Sequence, residues 1–441
     1  MKKSKKQNHK KIAMFTGAAA LMALTPQTHA QSSVDALLDK LEQKGVLTVD
    51  EAKELRAENA TNSVADFDAA MNSKFPMPDW VTGYKLSGDF RGRFDDISSD
   101  NAAFVNRIRL RYHLRVGLVV DMKDNLEVGF RIGSGDSGNP LSNNQTLSGN
   151  ASKKPLYVDT AYGKWTPIHN DDWMVAATFG KMVQPFEVSP MVFDPDYTPE
   201  GGALQATYKF NDSQSLSFNG AGFVLDELSG SSRDPFLYGG QVVLNSKWTP
   251  QIATSLDVSA FDIVNQESLL TTYDSNKGNT PPGGTTYAAN FNPIVVGGSV
   301  TYTLDSFPLY NGKFPIKLAG EFMDNPATDS NNEGWWGGVT FGKSGKKGDW
   351  DISYRYQYLE ADAWWDQIVN DDNIAFFPTS PTAGSAAGGT NIKGHLVAFN
   401  YSIFDSLTFS FTCYVNDLID NPVPGAETGA VHAMADLMWK F

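Results

Sequence analysis

The sequence predicts an all-β fold: an antiparallel transmembrane β-barrel of about sixteen strands with a short N-terminal helical segment on the periplasmic side. Three observations predict it. The last eleven residues, Val431 to Phe441, place Val, Ala, Ala, Leu, Trp and Phe at odd positions and His, Met, Asp, Met and Lys at even ones. Successive side chains of a strand point to opposite faces, so one face is apolar and the other mostly polar. Short and long connections alternate between the segments that show this pattern, as tight turns at one rim of a bacterial outer-membrane barrel and long loops at the other require. Finally, the segment 104–120 sets a row of arginines against a row of aliphatic residues, an arrangement suited to a wall with lipid on one side and water on the other.

The chain opens with a secretory signal over 1–30. Lys2, Lys3, Lys5, Lys6, Lys10 and Lys11 form its basic region, Ile12 to Leu24 its apolar stretch, and Thr28-His29-Ala30 a small-residue cleavage site. The apolar stretch, about 13 residues, is shorter than the ~20 needed to span a bilayer, so export rather than anchoring is expected. Residues 31–78 form a helical hairpin or coiled-coil segment and a linker. Val34, Leu37, Leu38 and Leu41 recur at helical spacing, with Gly45 after them as a C-terminal cap. Thr48-Val49-Asp50-Glu51 reads as a capping box opening a second helix to about Ala60. The segment suits oligomerisation or a solvated spacer. Phe75-Pro76-Met77-Pro78 marks the boundary with the barrel, 79–441.

The sixteen predicted strands are 83–94, 104–120, 125–134, 155–166, 173–181, 202–210, 214–225, 236–248, 251–263, 294–304, 314–324, 334–344, 349–360, 391–402, 407–417 and 431–441. Asn211-Asp212-Ser213 and Phe404-Asp405-Ser406 are among the short connections; 135–154, 182–201, 264–293 and 361–390 are the long ones. An even strand number puts both termini on the short-turn, periplasmic side. Alternation is clear in Trp350, Ile352, Tyr354, Tyr356 and Tyr358 against Asp351, Ser353, Arg355 and Gln357, and weaker over 155–166 and 214–225. Trp165, Trp173, Trp248, Trp335, Trp350 and Trp439 fall near strand ends, where aromatic girdles meet lipid headgroups.

Composition narrows the function classes. The 441 residues are 20% charged and 41% hydrophobic, neither a disordered nor a helical-membrane balance. A net charge of −14 argues against nucleic acid as a partner. Cys413 is the only cysteine, so no internal disulfide can form and stability must come from backbone pairing and packing. No G-x-S-x-G elbow, H-E-x-x-H or paired-cysteine metal site is present, and His113, His169, His395 and His432 are scattered, so no catalytic residue, cofactor or metal is expected. The acid-rich loops 324–333 and 371–373 lack EF-hand spacing.

One constellation stands out. Arg107, Arg109, Arg111, His113 and Arg115 share a face of strand 104–120, and Arg91, Arg93 and Arg131 extend it onto the flanking strands. Near the midplane each arginine on the lipid face would cost about 2–4 kcal/mol, so the row is expected to line the lumen. Such a wall would concentrate anions, or form a structural ladder paired with carboxylates; Asp89, Glu127, Asp257, Glu321, Asp351 and Asp436 are the candidates. Loop 182–201 is too apolar to stand in water. Phe186, Val188, Met191, Val192 and Phe193 need a surface to bury against. Folding inward would make it a constriction, with Phe186, Met191, Phe193, Asp194, Asp196 and Glu200 at the narrowing; packing over the rim or against a neighbour is the other option. The long loops 264–293 and 361–390, rich in Gly, Thr, Asn and Pro, are expected to be exposed rather than a packed plug.

The order of several short motifs resembles a porin family of Gram-negative bacteria. They include the helical start Leu37 to Arg56, Gly88-Asp89-Phe90-Arg91, Asn106 to Arg111, Asn125 to Arg131, Asn144-Gln145-Thr146-Leu147, Ser152-Lys153-Lys154-Pro155, Gly180-Lys181-Met182, Thr198-Pro199-Glu200-Gly201, Gly222 to Glu227 and the terminal Phe441. A more distant likeness is to phosphate-selective porins. The resemblance implies an outer-membrane barrel passing small hydrophilic solutes or anions by passive diffusion. Its partners would be outer-membrane lipids, the barrel assembly machinery through the closing strand that ends in Phe441, and further copies in a trimer. A non-conducting structural or adhesin barrel and, less well matched, an outer-membrane hydrolase are the alternatives.

Overall fold

A computed structural model describes residues 78–269, 277–280, 287 and 289–441. The signal peptide and the helical segment lie outside the described residues. The chain divides into two units, Met1–Asp79 and Trp80–Phe441, and the second is the barrel. Its strands are β1 (Val81–Ser99), β2 (Arg107–Met122), β3 (Leu126–Ser134), β4 (Gln145–Thr146), β5 (Leu156–His169), β6 (Trp173–Lys181), β7 (Glu200–Asn211), β8 (Gln214–Val224), β9 (Phe236–Lys247), β10 (Ile252–Val264), β11 (Ile294–Leu304), β12 (Phe314–Asp324), β13 (Glu333–Gly342), β14 (Trp350–Leu359), β15 (Ala375–Ser380), β16 (Ala383–Ala387), β17 (Ile392–Phe404), β18 (Leu407–Leu418) and β19 (Ala430–Lys440).

Sixteen of these form one antiparallel ring. Each pairs with the next along the chain, β3 passing to β5 and β14 to β17, and β19 returns to β1. The expected antiparallel barrel is therefore present, strand for strand. The remaining three belong to loops: β4 lies along Arg111 and Tyr112 of β2, and β15–β16 is a hairpin inside the connection 360–391. Closure leaves no sheet edge, so every spanning strand pairs on both sides, as a bilayer without water demands. One strand bound is corrected, and one irregularity explained. β1 continues to Ser99 rather than ending at 94, because its outer part pairs with β19 as far as Ala430. The weak alternation of β5 has a physical cause. A bulge opposite Arg131 and Ile132 carries Asp159, which reverses the inward and outward parity: Val158 and Ala161 both face out.

Outward positions are apolar along most of the ring; Leu86, Leu110, Leu118, Leu204, Leu256 and Leu318 are all exposed. Trp165, Trp173, Trp248, Trp350 and Trp439 mark the short-turn ends of their strands, and Trp335 the opposite end of β13. The closing residue is built into the seam. Phe441 N–H donates to Gly88 O at 3.0 Å, and Phe441 O accepts from Gly88 N–H at 2.8 Å. A Cβ on Gly88 would stand 2.5 Å from the Phe441 ring, so only glycine lets the terminal aromatic lie flat on β1.

Candidate functional site

The interior divides into a charged side and an apolar side. The charged side is built by β1, β2 and β3, whose inward residues carry the arginines, and by β19 and β5, which bring Asp436 and Asp159 to them. Asp95, fully buried on β1, lies 2.6 Å from Arg109, 3.5 Å from Arg111 and 2.5 Å from His432 Nε2. Arg93 grips Asp436 through two nitrogens at 2.9 and 3.0 Å and reaches Asp372 at 3.0 Å. Arg115 pairs with Asp89 at 3.1 Å and with Asp196 at 3.5 Å, and His113 Nε2 lies 2.6 Å from Asp89. Arg91 donates to Asn144 at 2.8 Å and lies 3.9 Å from Asp436. Arg131 bonds the bulged Asp159. Arg107 is exposed at the long-loop rim and stands outside this network.

Six arginines (91, 93, 109, 111, 115 and 131) thus meet six carboxylates (89, 95, 159, 196, 372 and 436). Of the partners expected from sequence, Asp89 and Asp436 serve the wall. Glu127 instead accepts from Tyr162 at 2.8 Å and lies 3.7 Å from Lys164. Asp351 bonds Asn400, and Glu321 takes the backbone N–H and hydroxyl of Ser189. Asp95, Asp159 and Asp372 are partners that the sequence does not reveal, and Asp196, expected at the constriction, also pairs with Arg115. Asp95 was assigned to a connection, Asp159 sits on the bulge, and the last two arrive from loops.

The apolar side is filled by those loops. Phe186, Met191 and Phe193 are buried, with Val192, against Phe223 of β8, Leu237 of β9, Phe261 of β10 and Met323 of β12. Phe186 crosses Phe261 edge-to-face at 5.1 Å, and Phe193 crosses Trp364 at 6.3 Å. Gly239 makes room for Phe186: a Cβ there would lie 2.6 Å from its ring. The expected exposed loop 361–390 is corrected. Its first half is deeply buried, with Ala363, Trp364, Ile368 and Val369 at 1% exposure or less. Averaged composition hid this, because a Gly- and Thr-rich second half dilutes two tryptophans and two aliphatics in the first. The two loops are zipped together: Trp364 Nε1–H donates to Val192 O at 2.8 Å, Asp194 N–H to Ile368 O at 2.8 Å and Asn370 N–H to Pro190 O at 3.0 Å.

Asp194 and Asp196 leave this core on its charged edge. Burial, with Asp371 and Asp196 close by, pushes the Asp194 carboxyl well above the usual carboxylate range. Asp196 instead turns to Arg115 and the Asn143 N–H. Glu200 is exposed at the start of β7, 3.2 Å from Lys181, apart from the buried loop residues. Water reaches the charged side: the side chains of Arg109, Arg115, Asp196 and Arg131 are between 19% and 26% exposed. Across from them, Arg355 rests on the Trp336 ring at 5.3 Å with no carboxylate in contact among the described residues.

Comparisons with known proteins bear on the fold and the family. A high-pH structure of OprB from Pseudomonas putida is similar in fold at 11% identity and a TM-score of 0.50, covering 81% of this chain and 94% of that one. A triple mutant of Rhodopseudomonas blastica porin aligns at 7% identity and a TM-score of 0.41, over 81% of this chain and 100% of that one. No curated protein matches it in sequence. A family model described as "Putative porin" matches residues 99–293 and 310–441, well over half of the chain, and the protein belongs to that family.

Proposed function

We propose that this barrel is an outer-membrane channel through which small hydrophilic solutes diffuse along the charged side of the lumen. One observation carries the reading. The apolar side is sealed by the loop core, while the side chains of the arginine–aspartate wall remain partly open to water. Sixteen strands leave an interior wide enough for an aqueous path unless loops fill it. Here 182–199 and 360–391 occupy one side and set the width of what remains. Solutes would pass between the wall and the loop edge that bears Asp196, with lipid around the apolar exterior. Assembly through the Phe441 strand and association into trimers belong to the same reading.

The test is single-channel conductance of refolded protein in a planar bilayer. Wild type is expected to give stable openings, and removal of the loop tip 186–193 to give larger ones, because that segment holds the core in place. Folded, inserted protein that never conducts would favour a closed structural barrel.

A further inference from the structure

We propose that the ion preference of the channel is set by a ring of unpaired lysines at its short-turn mouth, and not by the arginine wall. The inference rests on the channel reading above. Lys85 of β1, Lys209 of β7, Lys247 of β9, Lys317 of β12 and Lys440 of β19 lie close to the short-turn ends of their strands. Alternation turns each of them inward. Lys85 shares its face with Asp89 and Arg91, while Leu86 points to lipid. Lys209 follows Gln205 and Thr207, between the outward Tyr208 and Phe210. Lys247 shares parity with the fully buried Val243, Lys317 with Glu321 and Met323, and Lys440 with His432 and Asp436. All five are exposed, and none makes an ion pair among the described residues.

Pairing decides which charges a passing ion feels. An arginine with a carboxylate 2.6–3.9 Å away presents a dipole, whose field falls off faster with distance than that of a lone charge. The wall's six arginines are matched by six carboxylates. The lysines at the mouth have fewer opponents. Glu127 is matched by Lys164, which leaves Asp121 and Asp351, the latter hydrogen-bonded by the neutral Asn400 and the Ser344 N–H, as inward acids at that level, while the tight turns beyond carry Asp124, Asp171, Asp172, Asp212, Asp305, Asp349 and Asp405 against Lys123, Lys313, Lys343, Lys346 and Lys347. In water an unpaired charge about 10 Å from an ion changes its local concentration by about twofold, so a ring of them biases anions over cations several-fold at low salt. Because the ring stands at one end only, it also makes the channel asymmetric along its axis.

The experiment is the reversal potential of full-length protein in a planar bilayer under a potassium chloride gradient, at low salt. Wild type is compared with K85Q/K209Q/K247Q/K317Q/K440Q and with the same five positions changed to Arg. The expected result is an anion preference in wild type, a several-fold fall in the chloride-to-potassium permeability ratio with Gln, and retention of the preference with Arg. Rectification is expected to disappear with Gln and return with Arg. If the Gln variant does not insert, K209Q/K317Q alone is expected to move the potential part of the way. Open channels whose reversal potential is the same in wild type and Gln variant overturn the ring while leaving the channel intact. Absence of current from all inserted proteins overturns the channel reading, and the ring with it.

Discussion

At the residue scale, Arg93 is the keystone of the charged wall. It is buried, joins β1 to β19 through Asp436, and ties the loop 360–391 to the wall through Asp372. Its bidentate contact with Asp436 is the geometry in which a guanidinium outperforms an ammonium. Removing one partner of a buried pair leaves an uncompensated charge, which costs about 3–5 kcal/mol. Arg93→Ala is therefore expected to destabilise the barrel by that order and Arg93→Lys by less, read from urea unfolding in lipid vesicles; equal losses would mean that the two-nitrogen contact contributes nothing. His432 shows the same economy of placement. Its Nε2 faces the Asp95 carboxylate at 2.5 Å and its Nδ1 faces the Asp372 carbonyl at 2.8 Å. Both partners are acceptors, so only the doubly protonated ring satisfies both. The sequence showed a scattered histidine; the contact came from two elements far apart in the chain.

At the element scale, the loop 360–391 carries its own pH dependence. Burial pushes Asp366 from an ordinary 3.8 up to about 7, and Asp371 up to about 8 with Asp372 beside it. Asp372 goes the other way: burial opposes its charge, but Arg93 and His432 together outweigh that and hold it below the usual range. For Asp366 and Asp371, and for Asp194 of the loop 182–199 zipped to it, the docked loops keep protons that undocked loops would release near pH 4. A state that binds more protons loses stability as pH rises. Docking is therefore expected to be firmest near pH 4, to weaken as pH rises toward about 7–8, and to level off above that. Trp364 and Trp365 sit inside the loop, so a red shift of tryptophan emission and faster proteolysis of 360–391 at pH 8 than at pH 5 would report it. Firmer docking at pH 8 than at pH 5 would contradict the raised carboxyls, because Asp372, held below the usual range, stays ionised throughout that window and adds no slope to it.

At the scale of the whole molecule, a barrel has two solvents, and its wall is read by parity. Leu118 and Arg115 lie on the same strand three residues apart, yet one faces lipid and the other the lumen. Leu118→Arg is expected to cost up to about 2–4 kcal/mol, depending on its depth in the bilayer. Val119→Arg, one residue on and inward, is expected to cost clearly less. Folding yield into vesicles and urea midpoints would show the difference, and equal penalties would contradict the assigned parity.

The sixteen spanning strands were legible in the sequence because period-two alternation is imposed residue by residue, wherever lipid lies on one side and water on the other. The tight turns and the inward direction of the arginines follow from the same constraint, since a bilayer penalises a misplaced charge without reference to the rest of the fold. What faces those arginines was not legible. Asp95, Asp196, Asp372 and His432 meet the wall from a strand end, two loops and the closing strand, and no local rule links positions so far apart. The burial of Trp364 inside a loop that reads as exposed has the same origin: a loop packs where the closed ring offers an apolar interior, as Phe223, Phe261 and Met323 do here. Strand identity and, outside the β5 bulge, parity were determined by the sequence alone, because each depends on a residue and its immediate solvent. Only the tertiary structure decided which charges are neutralised and which side of the lumen is filled, because both depend on distances set when the barrel closes.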